Sequence, residues 1–430
     1  MVKAPILAIV LALVGACAPH AGQPSLRDAF SSYAYSRLRA TPDPTNRFAD
    51  DPRAATLGQK LFFDTRFSGP LLDEANDGSG GTLGRRGETG KVACASCHVP
   101  ERGVFADTRS PRRQLSLASG WTRRRAPSLL DVGHVTFLMW DGRHDSFFNQ
   151  VFVPVESPLE LNSSRLFVAQ SLARHYRDEY ESVFGPLPSL GGYPELEADA
   201  AGCGAFPPDP ARDVCEKPGR GDATLTRVVV NFGKAIEAYL RRLSCGPGRF
   251  DAWLAGDDAA LAADEQAGAA LFAGKAGCSR CHQGPLFTDH QFHNIGLAGE
   301  LIPFTGVNSA GDLGVAAGFP KLHADPLNSK SAFSDGYDGR LERAPSVAAG
   351  AFRTPSLRCV GRRPSFMHDG RFRSLRDAVR FFVDGGARGG FPGSSEIEPL
   401  GLGKAEARQL EAFLRALDGP GPAPALLVAP

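Results

Sequence analysis

The sequence contains two short segments of the form C-x-x-C-H, CASCH at residues 94–98 and CSRCH at residues 278–282. Two thiols three positions apart can bond to the two vinyl groups on one porphyrin edge, and the next histidine can then ligate the iron. Half of a zinc site or a redox dithiol would also use paired cysteines, but neither explains a separate adjacent histidine for each pair. The spacing therefore predicts two haems c. Their thioether bonds would come from Cys94, Cys97, Cys278 and Cys281, and their axial iron ligands would be His98 and His282.

Each motif follows a similar apolar stretch that contains a Leu-Phe pair. LGQKLFFDTRFSG lies before CASCH and is separated from it by a Gly-rich polar insertion that predicts a loop. AGAALFAGKAG lies directly before CSRCH. Repetition of one unit predicts two related domains, and sparse strand signals predict a mostly α-helical chain. We place the N-terminal domain at residues 46–246, the C-terminal domain at residues 247–418 and a disordered, Pro-rich tail at residues 419–430.

Residues 1–22 have the features of a signal peptide, with Lys3 before an apolar run that is too short to span a membrane. The run ends in VGAC, which resembles a lipoprotein processing site where Cys17 would carry lipid; a plain signal peptide is the alternative. Both predict a periplasmic protein, anchored to the outer membrane in the first case. The net charge of +1 gives no support to a nucleic-acid partner.

Four further cysteines remain, an even number in an oxidising compartment. Three pairings are open. Cys203 with Cys215 is the local choice, which leaves Cys245 with Cys359. Buried free thiols are the alternative.

Beyond these motifs, the chain resembles the bacterial di-haem cytochrome c peroxidases and the related MauG proteins over roughly residues 47–418. The resemblance rests on LGQKLFFDTRFSG, RRAPSLLDV, MWDGRHDSFFNQVFVPVESPLEL, CSRCHQGPLFTDHQFHNIGL and FRTPSLRCVGRRPSFMHDGRF. It implies two cytochrome c-like helical domains, each with one haem. The N-terminal haem would react with peroxide, and the C-terminal haem would supply an electron.

The block after Trp140 matches the family most closely. Family members carry Gln, Pro and Glu ten, fourteen and twenty positions after this Trp, as Gln150, Pro154 and Glu160 do here. The resemblance implies that Glu160 is the general acid–base and that Gln150 binds peroxide or orients Glu160. Pro154 would help to keep the iron open, and Trp140 would relay electrons between the haems. Taken singly, each residue also has a purely structural interpretation.

Three positions depart from the family pattern. Many of these peroxidases have a loop His on the N-terminal haem; His134 lies too close to Trp140 to match it, which implies an iron that is open at rest. Arg125 replaces the Asn of the family's calcium site, and an Arg cannot ligate a cation, so calcium is uncertain. Phe382 stands where the second haem takes its sixth ligand, with Met367, beside His368, as a weak substitute.

These features favour a peroxidase that reduces hydrogen peroxide with electrons from a small cytochrome c or cupredoxin. A MauG-like oxidase of a partner protein and a non-catalytic electron-transfer cytochrome are the alternatives. Gln150 and Glu160 favour the first two, whereas Phe382 weakens the peroxidase more, because that route relies on a Met-ligated donor haem.

Overall fold

The computed structural model describes residues 25–39, 41–79, 81–110, 115–205, 217–300, 309–343 and 347–430. The predicted signal peptide and Cys17 lie outside these ranges. The described chain is mostly helical, as predicted, with one small antiparallel sheet of β1 (Phe292–His293) and β2 (Phe352–Arg353). The α-helices are, in chain order, α1 (Leu26–Ala29), α2 (Pro52–Phe63), α3 (Cys94–Cys97), α4 (Phe147–Gln150), α5 (Phe152–Glu156), α6 (Arg165–His175), α7 (Arg177–Phe184), α8 (Ala223–Leu240), α9 (Arg249–Leu254), α10 (Ala263–Ala273), α11 (Val315–Ala324), α12 (Leu375–Val383) and α13 (Lys404–Ala416).

Helices α2 and α8 cross at the centre of the larger hydrophobic core. Asp51 caps the start of α2, where Pro52 fits the first helical position, and Asp222 caps α8. Gly58 lets the two backbones approach closely, since a Cβ there would lie 1.8 Å from the Ala235 carbonyl oxygen. CASCH follows α2, so this crossing positions the first motif. We call α2, α8 and CASCH the first unit.

Helices α10 and α13 cross in the same way in the second core. Here Gly268 permits the approach, since a Cβ would lie 2.0 Å from the Gln409 carbonyl oxygen. Gly58 and Gly268 each stand three residues before a Leu-Phe pair, so the sequence repeat has a structural cause in a shared glycine at the helix crossing. We call α10, α13 and CSRCH the second unit. The boundary near residue 246 stays a prediction.

The end of the chain corrects the prediction of a disordered tail at residues 419–430. Residues Pro424–Leu426 form a 3₁₀ turn, and Leu426 is buried in the larger core. Gln59 of α2 donates to the carbonyls of Ala425 and Val428 at 2.6 and 2.8 Å, and Tyr239 of α8 donates to that of Leu426. The Pro-rich composition suggested disorder, but the tail supplies acceptors for polar groups in that core.

The segment before α2 packs on the opposite core. Phe30 is fully buried, and its ring centroid lies 5.4 Å from that of Phe250 and 5.8 Å from that of Phe413. Arg27 donates to the Trp253 carbonyl at 2.8 Å. Each end of the described chain therefore completes the core that is farther from it in sequence.

A disulfide joins Cys245 to Cys359, across 114 residues, and this confirms one of the predicted pairings. The other predicted pair includes Cys215, which lies outside the described residues. Within the described ranges, the structure contains no helix long and apolar enough to cross a membrane.

Candidate di-haem site

In the first motif, a backbone carbonyl holds one ring nitrogen of the histidine. His98 follows α3, and its Nδ1 lies 3.0 Å from the Pro127 carbonyl oxygen. An Nδ1–H donated to a carbonyl leaves Nε2 with the lone pair that an axial iron ligand needs. Burial lowers the pKa of His98, which favours the same neutral form. The ring is therefore prepared to ligate a metal.

The second motif repeats this arrangement on a shorter turn. Cys278–Arg280 form a 3₁₀ turn, and His282 Nδ1 lies 2.8 Å from the Phe287 carbonyl oxygen. Burial lowers the pKa of His282 to about 4, so this ring is neutral near pH 7 as well. The two histidines share one local design, as two copies of one haem-binding unit require.

The thiols do not have the character of a redox dithiol. Burial raises the pKa of Cys94, Cys97 and Cys278 to about 12, whereas a reactive dithiol has a lowered pKa. Among the described residues, one group of three could hold a metal ion directly, namely Cys281, Asp289 and His293. Because Cys281 belongs to CSRCH, a thioether bond would remove it from that group. Both motifs thus fit covalently held haem.

One cavity of about 1030 Å³ opens in front of the first motif, at the upper end of the range of small-molecule sites. Cys94, Cys97 and His98 line it. The four residues named from the family block, Trp140, Gln150, Pro154 and Glu160, all line it too. Residues that are 62 positions apart in sequence, from 98 to 160, therefore meet in one space large enough for a cofactor and a small substrate.

Glu160 is the acid in this cavity with a strongly altered environment. Burial raises its pKa to about 6, and the charge of Arg143 opposes that shift. Arg143 itself pairs with Asp141 at 2.8 Å. A carboxyl group with this pKa exchanges protons near neutral pH, which suits general acid–base chemistry.

Gln150 meets a side chain that the sequence did not single out. It is the last residue of α4, and its Nε2 lies 3.6 Å from the sulfur of Met139. Met139 has a φ of 67°, in the left-handed region that non-Gly residues seldom adopt, and it lines the same cavity. A soft sulfur acceptor binds an amide weakly, so Gln150 is held near the cavity while remaining able to turn to a better acceptor. Pro154, in α5, supplies an apolar part of the lining.

Trp140 connects the cavity to the wall around His368. Its indole Nε1 donates to the Arg125 carbonyl at 2.9 Å, and the Arg125 amide donates to the His368 carbonyl at 2.7 Å. The His368 ring stacks on Phe352 with centroids 3.7 Å apart. The indole therefore begins a short hydrogen-bonded link between the first cavity and the segment that contains Met367 and His368.

The residues around Arg125 do not fit calcium. The Arg125 side chain is buried, and its guanidinium donates to the Asp107 and Ser110 carbonyls at 2.7 and 3.3 Å. Its Nε lies 3.6 Å from the Asp107 carboxylate. A cation beside these oxygen atoms would meet the positive charge of the guanidinium, which is itself no ligand.

Phe382 lies on α12, which begins after the Ser374 cap, and its ring packs on Phe381 with centroids 5.6 Å apart. Met367 is half-buried and has a φ of 71°. No described contact joins either side chain to His282. The predicted absence of a sixth ligand at position 382 therefore stays a prediction.

Fold and site together define a mostly helical protein of the di-haem peroxidase class. The model of the di-haem cytochrome c peroxidase family matches residues 52–259. The chain is 30% identical over 369 residues to the methylamine utilization protein MauG of Methylorubrum extorquens, covering 85% of this chain and 78% of that protein. It is 29% identical over 391 residues to cytochrome-c peroxidase IdrP1 of Denitromonas iodatirespirans, covering 86% of this chain and 83% of that one.

The chain belongs to the di-haem cytochrome c peroxidase family, whose members among its relatives include both peroxidases and MauG proteins. Among solved structures, the diheme peroxidase BthA from Burkholderia thailandensis matches with a TM-score of 0.60 and 25% identity, covering 90% of this chain and 89% of that one. The resemblance stated from the sequence is confirmed.

Proposed function

We propose that the protein is a di-haem c peroxidase that reduces hydrogen peroxide to water. The observation that carries this proposal is the meeting of Glu160, Gln150 and the His98 ring in one cavity. When bound, the haem supplies the redox chemistry of O–O cleavage, and the protein supplies binding, orientation and protons. The electrons would come from a small cytochrome c or cupredoxin.

Glu160 would move the proton between the two oxygen atoms of peroxide. Its pKa of about 6 leaves the carboxylate mostly ionised at pH 7, ready to accept a proton, yet basic enough to return it. Arg143 keeps the pKa from rising further. Gln150 would leave the Met139 sulfur and hold the substrate by hydrogen bonding, since an oxygen is a better acceptor for its amide. Pro154 offers no ligand atom and would keep the approach open.

Trp140 would relay electrons between the two haems. Its indole lines the cavity, and its hydrogen bond to the Arg125 carbonyl leads to the carbonyl of His368. This continuous path supports a role in electron transfer over a role as core filling.

A MauG-like oxidation of a partner protein is the second candidate. The 30% identity to a MauG protein favours it. Phe382 offers no ligand to either candidate and weakens the peroxidase more, because a peroxidase of this family relies on a Met at that position. A non-catalytic electron-transfer cytochrome needs no acid that exchanges protons near neutral pH, so the raised pKa of Glu160 does not support that alternative.

We also propose that the protein is periplasmic, anchored to the outer membrane through Cys17 if VGAC is processed as in a lipoprotein. The disulfide between Cys245 and Cys359 supports an oxidising compartment.

The test is the substitution Glu160→Gln, with Glu101→Gln as control because Glu101 is exposed and lies outside the cavity lining. Pyridine haemochrome should first show two haems c per chain in all three proteins. Rapid mixing with peroxide should then show a rate about 10²- to 10⁴-fold lower in Glu160→Gln than in wild type and Glu101→Gln. Steady-state turnover with reduced cytochrome c separates the peroxidase from the alternatives. An unchanged rate in Glu160→Gln would remove the proton-transfer role.

A further inference from the structure

Met139 stands at the edge of the first cavity rather than in the interior of a core. Its side chain is half-buried, and it lines the cavity together with Gln150 and Glu160. The chain contains three methionines, of which Met1 lies outside the described residues. Met367 is also half-buried, but it is not among the described residues that line this cavity. Among the described residues, Met139 is therefore the methionine that a molecule in this cavity would meet.

The surrounding backbone holds Met139 in its left-handed conformation, with a φ of 67°. On one side, the Leu138 amide donates to the His144 carbonyl at 2.7 Å. On the other side, the Arg353 amide donates to the Trp140 carbonyl at 2.9 Å. Arg353 Nε also donates to the Met139 carbonyl itself at 3.2 Å. Such conformations persist where neighbouring groups fix them, and they cluster at functional sites, so the fold sets the position of this sulfur.

The sulfur of Met139 lies beside the amide that would bind peroxide. Gln150 Nε2 is 3.6 Å from this sulfur, which is within hydrogen-bond distance for a sulfur acceptor. A thioether is a weak acceptor, and its sulfur is soft and polarisable. A peroxide that replaced the sulfur as acceptor for Gln150 would therefore arrive next to an atom that peroxide can oxidise.

We propose that hydrogen peroxide oxidises Met139 in this cavity, and that the resulting sulfoxide then holds Gln150. The proposal rests on the proposed function, because it needs peroxide in the cavity. In this step one peroxide oxygen forms an S–O bond while the O–O bond breaks. The sulfur loses two electrons, peroxide gains them, and the other oxygen leaves as water after it takes up the proton of the first. Glu160 lines the same cavity and would carry that proton.

Oxidation of Met139 would change the hydrogen bonding of Gln150. A sulfoxide oxygen is a polar acceptor, whereas a thioether sulfur is a weak one. The Gln150 amide would therefore stay at the oxidised side chain instead of turning to peroxide. Excess peroxide should thus slow the reaction of the protein with further peroxide. Because methionine sulfoxide reductases convert a sulfoxide back to the thioether, this loss should be reversible.

The first experiment follows oxygen addition at each methionine of the full-length holoprotein. The protein is mixed with hydrogen peroxide without an electron donor, the reaction is stopped with catalase, and the peptides are sequenced by mass spectrometry. We expect Met139 to gain an oxygen about tenfold faster than Met367, because both are half-buried but Met139 lines the cavity. Equal rates at the two methionines, or oxygen on Trp140 in place of Met139, would overturn the proposal.

The second experiment tests the effect on Gln150 in wild type, Met139→Leu and the matched control Met367→Leu. Each protein is treated with excess peroxide and freed of it, pyridine haemochrome confirms that both haems are intact, and the rate with fresh peroxide is divided by the rate before treatment. Wild type and Met367→Leu should slow about tenfold, the effect of one hydrogen bond, whereas Met139→Leu should keep its own starting rate. An equal loss in Met139→Leu, or no recovery of wild type after a reductase has removed the sulfoxide, would refute the hold on Gln150.

Failure of this site and failure of the proposed function give different results. Oxygen on Met139 in a protein that does not turn over peroxide with reduced cytochrome c would reject only the peroxidase. Peroxide turnover with Met139 left unoxidised would reject only the oxidation site. The peptide analysis uses wild type, so it decides the question even if Met139→Leu does not fold.

Discussion

The two units share a scaffold but differ in what surrounds their histidines. In each, a glycine brings two helices together and the histidine Nδ1 meets a backbone carbonyl. The first unit opens on a cavity with the titratable acid Glu160. The second has Asp289 and His293 close to Cys281 of its motif. The difference teaches that two motifs with the same local backbone geometry can be surrounded by different titratable side chains from elsewhere in the chain.

The largest effect should follow from giving the second unit a ligand. In Phe382→Met, a thioether at the family's ligand position should bind the second iron and raise its potential by on the order of 100 mV, since a Met axial ligand raises haem potentials. Redox titration measures the potentials of both haems, and EPR counts the high- and low-spin irons. Phe381→Met, on the adjacent face of α12, is the control. A second haem that stays unaltered in Phe382→Met would show that position 382 does not face its iron.

Gly58 and Gly268, which stand where the two helices of each unit cross, should be equally necessary for stability. Gly58→Ala and Gly268→Ala place a Cβ within 1.8 and 2.0 Å of a carbonyl oxygen, so we expect each to lower the free energy of unfolding. The net loss should be roughly 1–3 kcal/mol, because the strain exceeds the helix propensity that alanine adds. Denaturant unfolding measures it. Thr56→Ala, at an exposed position of α2, should change stability by less than about 0.5 kcal/mol. If one of the two glycine variants kept the wild-type stability, the two helix crossings would not be equivalent.

The smallest expected effect is a pH dependence of the peroxide reaction, which should come from Glu160 at the first unit. Glu160 has a raised pKa of about 6, so it is protonated below that pH and cannot accept a proton from peroxide. The rate of the peroxide reaction should therefore fall about tenfold per pH unit below pH 6 and level off above it. Stopped-flow mixing from pH 4.5 to 8 measures this profile. The remaining rate of Glu160→Gln should lack this step; an identical step in that variant would assign the titration to another group.

The sequence was most informative where function depends on local spacing. The C-x-x-C-H motifs, the block from Trp140 to Glu160 and the family were readable because each lies within a short stretch of chain. The sequence was misleading for features that depend on contacts between residues far apart in the chain. The tail has a Pro-rich composition, yet hydrogen bonds from Gln59 and Tyr239 order it.

Met139 is a residue that the sequence did not indicate, although it stands beside Trp140. Its left-handed φ of 67° and the 3.6 Å distance from its sulfur to Gln150 Nε2 are features of the folded backbone, which the order of residues does not show. The stretch MWDGRHDSFFNQVFVPVESPLEL contains this Met, but nothing in it marks Met139 as a neighbour of Gln150.

The crossed chain ends have a consequence for the order in which the protein can be assembled. The hydrogen bond from Gln59 to Ala425 spans 366 residues, and the one from Arg27 to Trp253 spans 226. The first unit cannot complete its packing until nearly the last residue has been synthesised, although its helices emerge early. Contacts of such wide sequence separation slow folding, so CASCH stays in an incompletely closed unit for most of the time that the chain is being made.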